Sequence, residues 1–289
     1  MTFPAPRLTT GRRDLLRAMA IGAAAPWALA HIGCEAAPPA PAAPAGSGNH
    51  PPKVTAVPTM DGRGARVRRV FPTKVTGYQD PFVLLDDFSV GEPAGFPDHP
   101  HRGFEAFTYM IDGSFHHKDN LGNDSVVSSG GTQRFTSGRG ARHSEMPARS
   151  GESRGLQLWV NLPRSLKKME PEYEAIHGAD IPEDGKGGVV TRTIVGAQSP
   201  VKLRTAVKYL HLRMDGGARL EDEIPEDHAA LVYVAEGRVK IGDLELSSGE
   251  GAQPGRGEIG LLAMADAQVF LLVGKRHGEP IVHRGPYVD

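Results

Sequence analysis

The sequence has a single cysteine, Cys34, and no long uninterrupted apolar stretch. One cysteine excludes an intrachain disulfide and a zinc site built from thiolates. The absence of any run of about 20 apolar residues excludes a membrane-spanning helix in the mature chain. Any metal ligands must therefore come from other side chains, chiefly the 12 histidines and the carboxylates.

The chain is also poor in features of helical proteins. Glycine contributes 36 and proline 24 of the 289 residues, both above the usual share. No segment of more than a dozen residues shows a convincing helical period, and residues 164–170 could form one or two turns at most. We predict an all-β protein with Gly-rich turns.

The N-terminal residues carry a signal peptide pattern. Arg12 and Arg13 are followed by leucines and then by a mild, Ala-rich run over 18–33. A charged segment, a short apolar segment and small residues typify export signals, and the arginine pair resembles the twin-arginine type. An ordinary secretory signal is the alternative. We predict a signal peptide over residues 1–34 and a periplasmic protein.

Two cleavage sites fit this region. Residues 28–30 read Ala-Leu-Ala, which suits the A-x-A rule. Residues 32–34 read Ile-Gly-Cys and loosely resemble a lipoprotein box, which would place a lipid anchor on Cys34. A Pro/Ala-rich linker over 35–52 follows in either case.

Charge argues against a nucleic-acid partner. The first 34 residues hold four arginines and one acid, so the remainder has 29 basic and 33 acidic residues and a net charge of −4. A mildly acidic protein is unsuited to binding a phosphate backbone.

A repeated pattern predicts two similar β domains. Tyr109 to Phe115 and Tyr233 to Val239 share the order Tyr-x-x-acid-Gly-x-apolar, 124 residues apart. An acid-Gly turn between apolar runs predicts a hairpin. We therefore expect domains at 53–178 and 189–289, with the boundary in the polar stretch 179–188.

Two residue pairs carry the predicted chemistry. His99 and His101 are spaced i, i+2 and so share one face of a strand; by the same parity Glu105 lies on that face. His143 and Glu145 form a second such pair. If the two strands face each other, three imidazoles and one carboxylate converge.

Three nitrogens and one oxygen suit a redox-active iron, manganese, copper or nickel ion. His116 and His117 are adjacent on a predicted strand and point to opposite faces, so both cannot join the cluster. We read them, and the isolated His228, as non-ligands.

Specific segments resemble a known family. His99-x-His101-x-x-x-Glu105 is similar to the first cupin motif, and Gly138-x-Gly140-x-x-His143 to the second. More narrowly, several segments closely resemble the pirin family. They are residues 80–88, 95–105, 136–140, 143–147, 155–163 and 278–287.

This resemblance implies a bicupin, two stacked antiparallel jelly-roll barrels. It implies one metal in the first barrel, usually Fe(II), with manganese, copper, nickel or zinc as alternatives. The ligands would be His99, His101, His143 and Glu145. Cupins in general often take the carboxylate ligand from the position of Glu105 instead; here Glu105 would lie behind the ligands and orient an imidazole.

The second domain is predicted to lack a metal. Shifted by the 124-residue repeat, His99, His101 and Glu105 correspond to Glu223, Pro225 and Ala229, and the second pair to about residues 267 and 269. No set of metal ligands remains at these positions, so we predict that the second domain is structural.

Pirins resemble flavonol dioxygenases, so the predicted activity is ring cleavage of a flavonol such as quercetin with O2. Glu145 or Glu105 would act as general base, and Phe96, Phe104 and Phe135 could line the mouth. The alternatives are another phenolic or enolic substrate and a non-catalytic, iron-binding redox sensor. We expect a monomer.

Overall fold

The computed structural model describes residues 51–289, whose regular secondary structure is almost entirely strand. The all-β prediction is confirmed. The predicted signal peptide, Cys34 and most of the predicted linker lie outside the described residues. Within 51–289, no helix is long and apolar enough to cross a membrane.

The first half contains twelve strands and one 3-10 turn. They are β1 (Lys53–Thr55), β2 (Val57–Asp61), β3 (Ala65–Phe71), β4 (Phe82–Gly91), β5 (Phe96–His101), β6 (Phe104–Asp112), β7 (Ser114–Asp119), β8 (Asp124–Ser128), β9 (Thr132–Thr136), β10 (Ala141–Pro147), β11 (Glu152–Asn161), the 3-10 turn Arg164–Leu166 and β12 (Glu172–Ile176).

The second half contains another twelve strands and a second 3-10 turn. They are the 3-10 turn Gly178–Asp180, β13 (Glu183–Lys186), β14 (Val189–Val195), β15 (Val207–Met214), β16 (Arg219–Ile224), β17 (His228–Glu236), β18 (Arg238–Ile241), β19 (Leu244–Ser247), β20 (Glu250–Ala252), β21 (Gly257–Ala263), β22 (Ala267–Lys275), β23 (His283–Arg284) and β24 (Tyr287–Val288).

These strands build two barrels of the same design. The first pairs a seven-stranded sheet, β12-β9-β6-β11-β4-β3-β2, with a four-stranded sheet, β5-β10-β7-β8. The second pairs β1-β20-β17-β22-β15-β14-β13 with β16-β21-β18-β19. Position by position the orders match, so the predicted bicupin is confirmed.

The repeated hairpin is present in both barrels. Gly113 turns the chain from β6 to β7 with φ 81°, and Gly237 turns it from β17 to β18 with φ 79°. A Cβ at residue 237 would lie 2.1 Å from the carbonyl oxygen of Asp266. Glycine is needed there because of both the backbone angle and the space.

Along the strands of the two large sheets, alternate side chains face a layer that the barrels share, and the others face the interior of one barrel. On β6, Phe107 and Tyr109 face a layer that also contains Leu231 and Tyr233 of β17. This layer lies between the two large sheets and joins the barrels. Burial of each such side chain contributes roughly 1.5–3 kcal/mol to the free energy of folding.

The two halves also exchange chain segments. β1 pairs with β20 and therefore belongs to the second barrel. β24 returns to the first barrel, where Val288 is buried beside Phe104. The structure thus differs from the expected division at 53 and 189, because each barrel completes itself with a segment from the far end of the chain.

Candidate metal centre

Two antiparallel strands position the three histidines that the sequence singles out. β10 pairs with β5 so that His143 lies opposite His99, and Ala141 opposite His101. The register shifts between His143 and Glu145, where β5 has one residue more than β10. Such a bulge changes the direction of side chains and is common beside functional sites.

The structure brings these three imidazoles together. Their ligand-type nitrogens all lie within 4.8 Å of one another, and His99 Nε2 is 3.0 Å from His101 Nε2. His101 and His143 are buried, whereas His99 is partly exposed. Access from solvent is therefore on the side of His99.

The hydrogen bonds of the histidines fit a cation between them. His99 Nδ1 donates to the carbonyl oxygen of Pro97 at 2.8 Å, and His101 Nδ1 to that of Pro286 at 3.4 Å. Because a neutral imidazole has one donor and one acceptor, both Nε2 atoms present lone pairs 3.0 Å apart. These would repel each other unless a cation lay between them.

His143 supports the same conclusion independently. Both of its ring nitrogens are buried and have no hydrogen-bond partner in the protein. A buried polar atom without a partner is unfavourable by about 1–3 kcal/mol. A metal ion bound at one nitrogen would remove part of that penalty.

Burial keeps the imidazoles of His101 and His143 neutral, as metal ligation requires. Burial, with a smaller contribution from His99, lowers the pKa of His101 to about 3. Burial also lowers the pKa of His143 well below its usual value, and the neighbouring histidines lower it further.

Glu145 stands beside the three imidazoles rather than within their group. Its Oε2 lies 4.0 Å from His143 Nε2. Thr108 Oγ1 is 2.7 Å from Oε1, Gln133 Nε2 also donates to Oε1, and Gln157 Nε2 donates to Oε2 at 3.1 Å. Ligation by Glu145 therefore stays a prediction, with the carboxylate already held close to the group.

Thr108, Gln133 and Gln157 are functional candidates that the sequence reasoning missed. All three lie on strands of the large sheet and point into the barrel, where apolar residues are usual. A polar residue within an otherwise apolar run, such as Gln157 between two leucines, was the available signal.

Glu105 requires a correction. It does not share a face with the histidines, because the chain turns at Gly103, with φ 86°, and strand parity does not continue from β5 into β6. Glu105 is fully buried, but it accepts hydrogen bonds from Thr136 Oγ1 at 2.9 Å and from the backbone N–H of Arg204 at 2.8 Å. None of its hydrogen bonds reaches an imidazole, so the expected orienting role is wrong.

Aromatic rings pack around the imidazoles. Phe135 stacks on His143, with centroids 4.3 Å apart. Phe104 lies 4.9 Å from the ring of His101 and stacks on Trp159 at 4.1 Å. Phe96, in contrast, packs edge-on against another phenylalanine in a separate cluster.

The other histidines that the sequence analysis considered lie outside the group. His116 is on the outer face and contacts Asp124 at 2.5 Å. His117 points inward and stacks on Tyr173, but its Nε2 contacts Asp119 at 3.1 Å. His228 is paired with its neighbour Asp227. Among residues 51–289 no second group of three ligand-type side chains occurs.

The second barrel lacks ligands, but at positions other than those expected. Pairing registers place Ile259 and Leu261 of β21 where β10 has His143 and Glu145. The expected positions 267 and 269 were wrong, because the segment after the hairpin glycine is eight residues shorter in the second half.

A separate cleft of about 590 Å³ lies between the barrels. Its arginines are already paired: Arg154 contacts Glu236, and Arg192 and Arg213 both contact Glu183. It contains none of the predicted site residues, which all lie in the first barrel.

Comparison with known proteins agrees with this arrangement. The family described as Pirin matches residues 64–160, and the Pirin C-terminal cupin domain matches residues 209–289. A pirin-like protein of Solanum lycopersicum is 39% identical over 246 residues, covering 82% of this chain and 84% of that relative.

Two further similar proteins are named for an activity. A putative quercetin 2,3-dioxygenase of Pseudomonas aeruginosa is 38% identical over 253 residues, covering 81% of this chain and 89% of that relative. A solved structure of quercetin 2,3-dioxygenase from Acinetobacter baumannii superposes with a TM-score of 0.76 at 29% identity, covering 83% of this chain and 91% of the other.

Proposed function

This chain belongs to the pirin family, and from that premise and its three converging imidazoles we propose that it is a metal-dependent dioxygenase of the cupin type. The observation that carries the proposal is the pair of facing Nε2 atoms of His99 and His101 beside the unpartnered His143. Buried lone pairs of this kind suit a bound cation.

His99, His101 and His143 would hold the metal, and Glu145 would provide the fourth ligand. We propose Fe(II) as the native ion, because nitrogen and oxygen ligands without thiolate suit iron; manganese, copper, nickel and zinc are the alternatives that metal analysis tests. When bound, the metal would supply Lewis acidity and redox chemistry.

Glu145 is the proposed general base. Its Oε2 faces the histidine group, and Gln157 and Thr108 fix the carboxylate so that it could accept the proton of a substrate hydroxyl. Geometry favours it over Glu105, whose oxygens are occupied on the other side of the sheet. A base must lie within hydrogen-bond reach of the proton that it removes.

The surrounding rings would keep water out and hold a planar substrate. Phe104, Phe135 and Trp159 form apolar walls against the imidazoles. Exclusion of water strengthens the electrostatic interactions within a site. We propose a flavonol such as quercetin as substrate, together with O2, on the support of the activities named for the two similar proteins.

Export is part of the proposal. The arginine pair at residues 12 and 13 and the small residues after it support a periplasmic protein, with Cys34 as a candidate lipid anchor. Fractionation of cells making the full chain and its Arg12→Lys/Arg13→Lys variant tests this. Retention of only the variant in the cytoplasm is the expected result; identical distributions would contradict it.

The experiment for the activity is oxygen uptake by purified protein loaded with Fe(II) under argon. Uptake is expected to need both metal and quercetin, to disappear in His99→Ala, and to persist in His116→Ala, which removes a histidine outside the group. No uptake despite one bound iron per chain would refute the flavonol assignment and leave a non-catalytic metal module.

A further inference from the structure

The last seven residues of the chain, His283–Asp289, cross back over the first barrel; we call them the terminal strap. Within it β23 and β24 pair with each other. The strap is tied to the backbone beside His101, since the N–H of Val288 donates to the carbonyl oxygen of Arg102 at 2.9 Å and the N–H of Arg102 to that of Pro286 at 3.3 Å.

One strap atom contacts an imidazole of the candidate metal centre. The carbonyl oxygen of Pro286 accepts a hydrogen bond from His101 Nδ1 at 3.4 Å. A partner of this kind fixes the tautomer and the orientation of a ligating ring and raises its basicity. The strap thus helps to decide where His101 Nε2 points.

Two side-chain latches hold the strap in place. In the first, the guanidinium of Arg102 contacts both carboxylate oxygens of Asp289 at 2.9 and 3.0 Å and lies 4.7 Å from the ring centre of Tyr287. In the second, Lys167 Nζ donates to the carbonyl oxygens of Gly103 and Val288, both at 2.9 Å.

The barrel surface is shaped for close approach of the strap. Gly103 is where the chain turns into β6, and a Cβ at this residue would lie 1.8 Å from the carbonyl oxygen of Val288. Only glycine leaves that space. Val288 itself is fully buried against the aromatic cluster.

We propose that the terminal strap positions the metal ligand His101, with Asp289 and Lys167 as positioning residues that act through the strap. The proposal rests on the metal centre proposed above. It assigns a role in the metal chemistry of the first barrel to a segment that follows the second barrel in sequence. Release of the strap would free the His101 ring to rotate and weaken metal binding.

The test uses Co(II), whose visible absorption depends on coordination geometry. The variants are Asp289→Arg, which breaks the first latch from the strap side, Lys167→Met, which breaks the second, and Asp289→Arg with Arg102→Asp, which restores the first with reversed charges. Arg149→Ala is the matched control, because it removes an exposed ion pair with Asp112 away from the strap.

Three readouts are compared: hydrogen exchange at the Val288 amide, the Co(II) absorption spectrum, and the rate at which a chelator removes the metal. In each latch variant the Val288 amide should exchange faster and the Co(II) spectrum should change. The chelator should remove the metal about tenfold faster, at the low end of the effect of a lost outer partner. The charge-reversed pair should recover, and Arg149→Ala should match the wild type.

Faster exchange with an unchanged spectrum and release rate would overturn the proposal, because the strap would then be loose without affecting His101. Unchanged exchange in both latch variants would overturn it too, since the latches would not hold the strap. Failure of the wild type to bind Co(II) or Fe(II) would instead refute the metal centre, so the two failures are distinguishable.

Discussion

The two barrels surround very different interiors with the same strand order. In the first, the residues that point inward from β5, β6, β9, β10 and β11 include histidines, amides and a carboxylate. In the second, the position equivalent to His99 holds Asp222, whose carboxylate is paired with Lys208, and the other positions compared hold apolar residues of one continuous core. The pairs, matched by strand register, are His101 and Ile224, Glu145 and Leu261, Thr108 and Val232, Gln133 and Ala252, and Gln157 and Leu271.

The difference shows that polar side chains inside a barrel need hydrogen-bond partners, which an apolar core does not. Buried polar groups are tolerated only when each finds a partner, and the first barrel supplies such partners to Glu145. His143 has two unpartnered nitrogens, whereas His117, Arg134 and Trp159 each have one. The interior of the second barrel is packed with aliphatic side chains, and the unpartnered Tyr209 Oη lies in the layer between the barrels. We infer that one barrel stabilises the pair while the other provides the chemistry.

The largest expected effect comes from making the first barrel like the second at one ligand. His143→Ile introduces the residue found at the equivalent position, residue 259. It should abolish metal binding, because two imidazoles remain and the site becomes apolar. Metal content per chain measures this; an unchanged content would show that the ion lies elsewhere.

Truncation of a side chain in the core of the second barrel should lower the stability of the protein and leave metal binding unchanged. Leu271→Ala removes a fully buried side chain and should lower the free energy of unfolding by about 2–5 kcal/mol. Chemical denaturation of the metal-free protein measures the loss, and metal content of the folded variant should equal that of the wild type. A loss of metal at full stability would contradict the division of roles.

His211, the buried histidine of β15, lines the cleft between the barrels and should make the stability of the protein depend on pH. Burial, more than the nearby arginines, lowers the pKa of His211 to about 4, although its hydrogen bond to Gln268 opposes this. The unfolded chain therefore binds the proton first, and the free energy of unfolding should fall as the pH drops from about 6.5 to about 4, by at most about 3 kcal/mol from this residue.

The matched variant is His211→Gln, which can still accept from Tyr109 and donate to Gln268. Metal-free wild type and variant are compared by denaturation at several pH values. The fall should be smaller in the variant. Parallel curves would show that His211 is not held neutral by the fold.

The smallest expected effect, on metal affinity, comes from removing a hydrogen-bond partner of the Glu145 carboxylate. Gln157→Leu introduces the residue of the second barrel and removes a donor to Glu145 Oε2. Metal affinity should fall roughly 10- to 100-fold, as for other lost outer partners. A titration with a competing chelator measures it, with Gln79→Leu, a change at a partly exposed glutamine outside the barrel interior, as control. An unchanged affinity would mean that Glu145 does not act at the metal.

Local periodicity was sufficient to predict much of this molecule. The hairpins at Gly113 and Gly237 were evident because acid-Gly turns between apolar runs are local signals. The i, i+2 spacing of His99 and His101 placed two rings on one face of one strand. Both inferences need only neighbouring residues.

The inferences that failed needed information from beyond a single strand. The position of Glu105 depends on the turn at Gly103, and the equivalence of His143 to Ile259 depends on a loop whose length differs between the halves. The exchange of β1 and of the terminal strap between barrels leaves no local pattern, because it is decided by pairing across the whole chain.

The central claim is that one barrel alone holds the metal. Crystals of the Fe(II)-loaded protein, measured at the iron absorption edge, test it directly through anomalous scattering. We predict one peak per chain, between the Nε2 atoms of His99 and His101 and the ring of His143, and none in the second barrel. A peak beside Ile259, or no peak at the three histidines of an iron-containing crystal, would contradict the account.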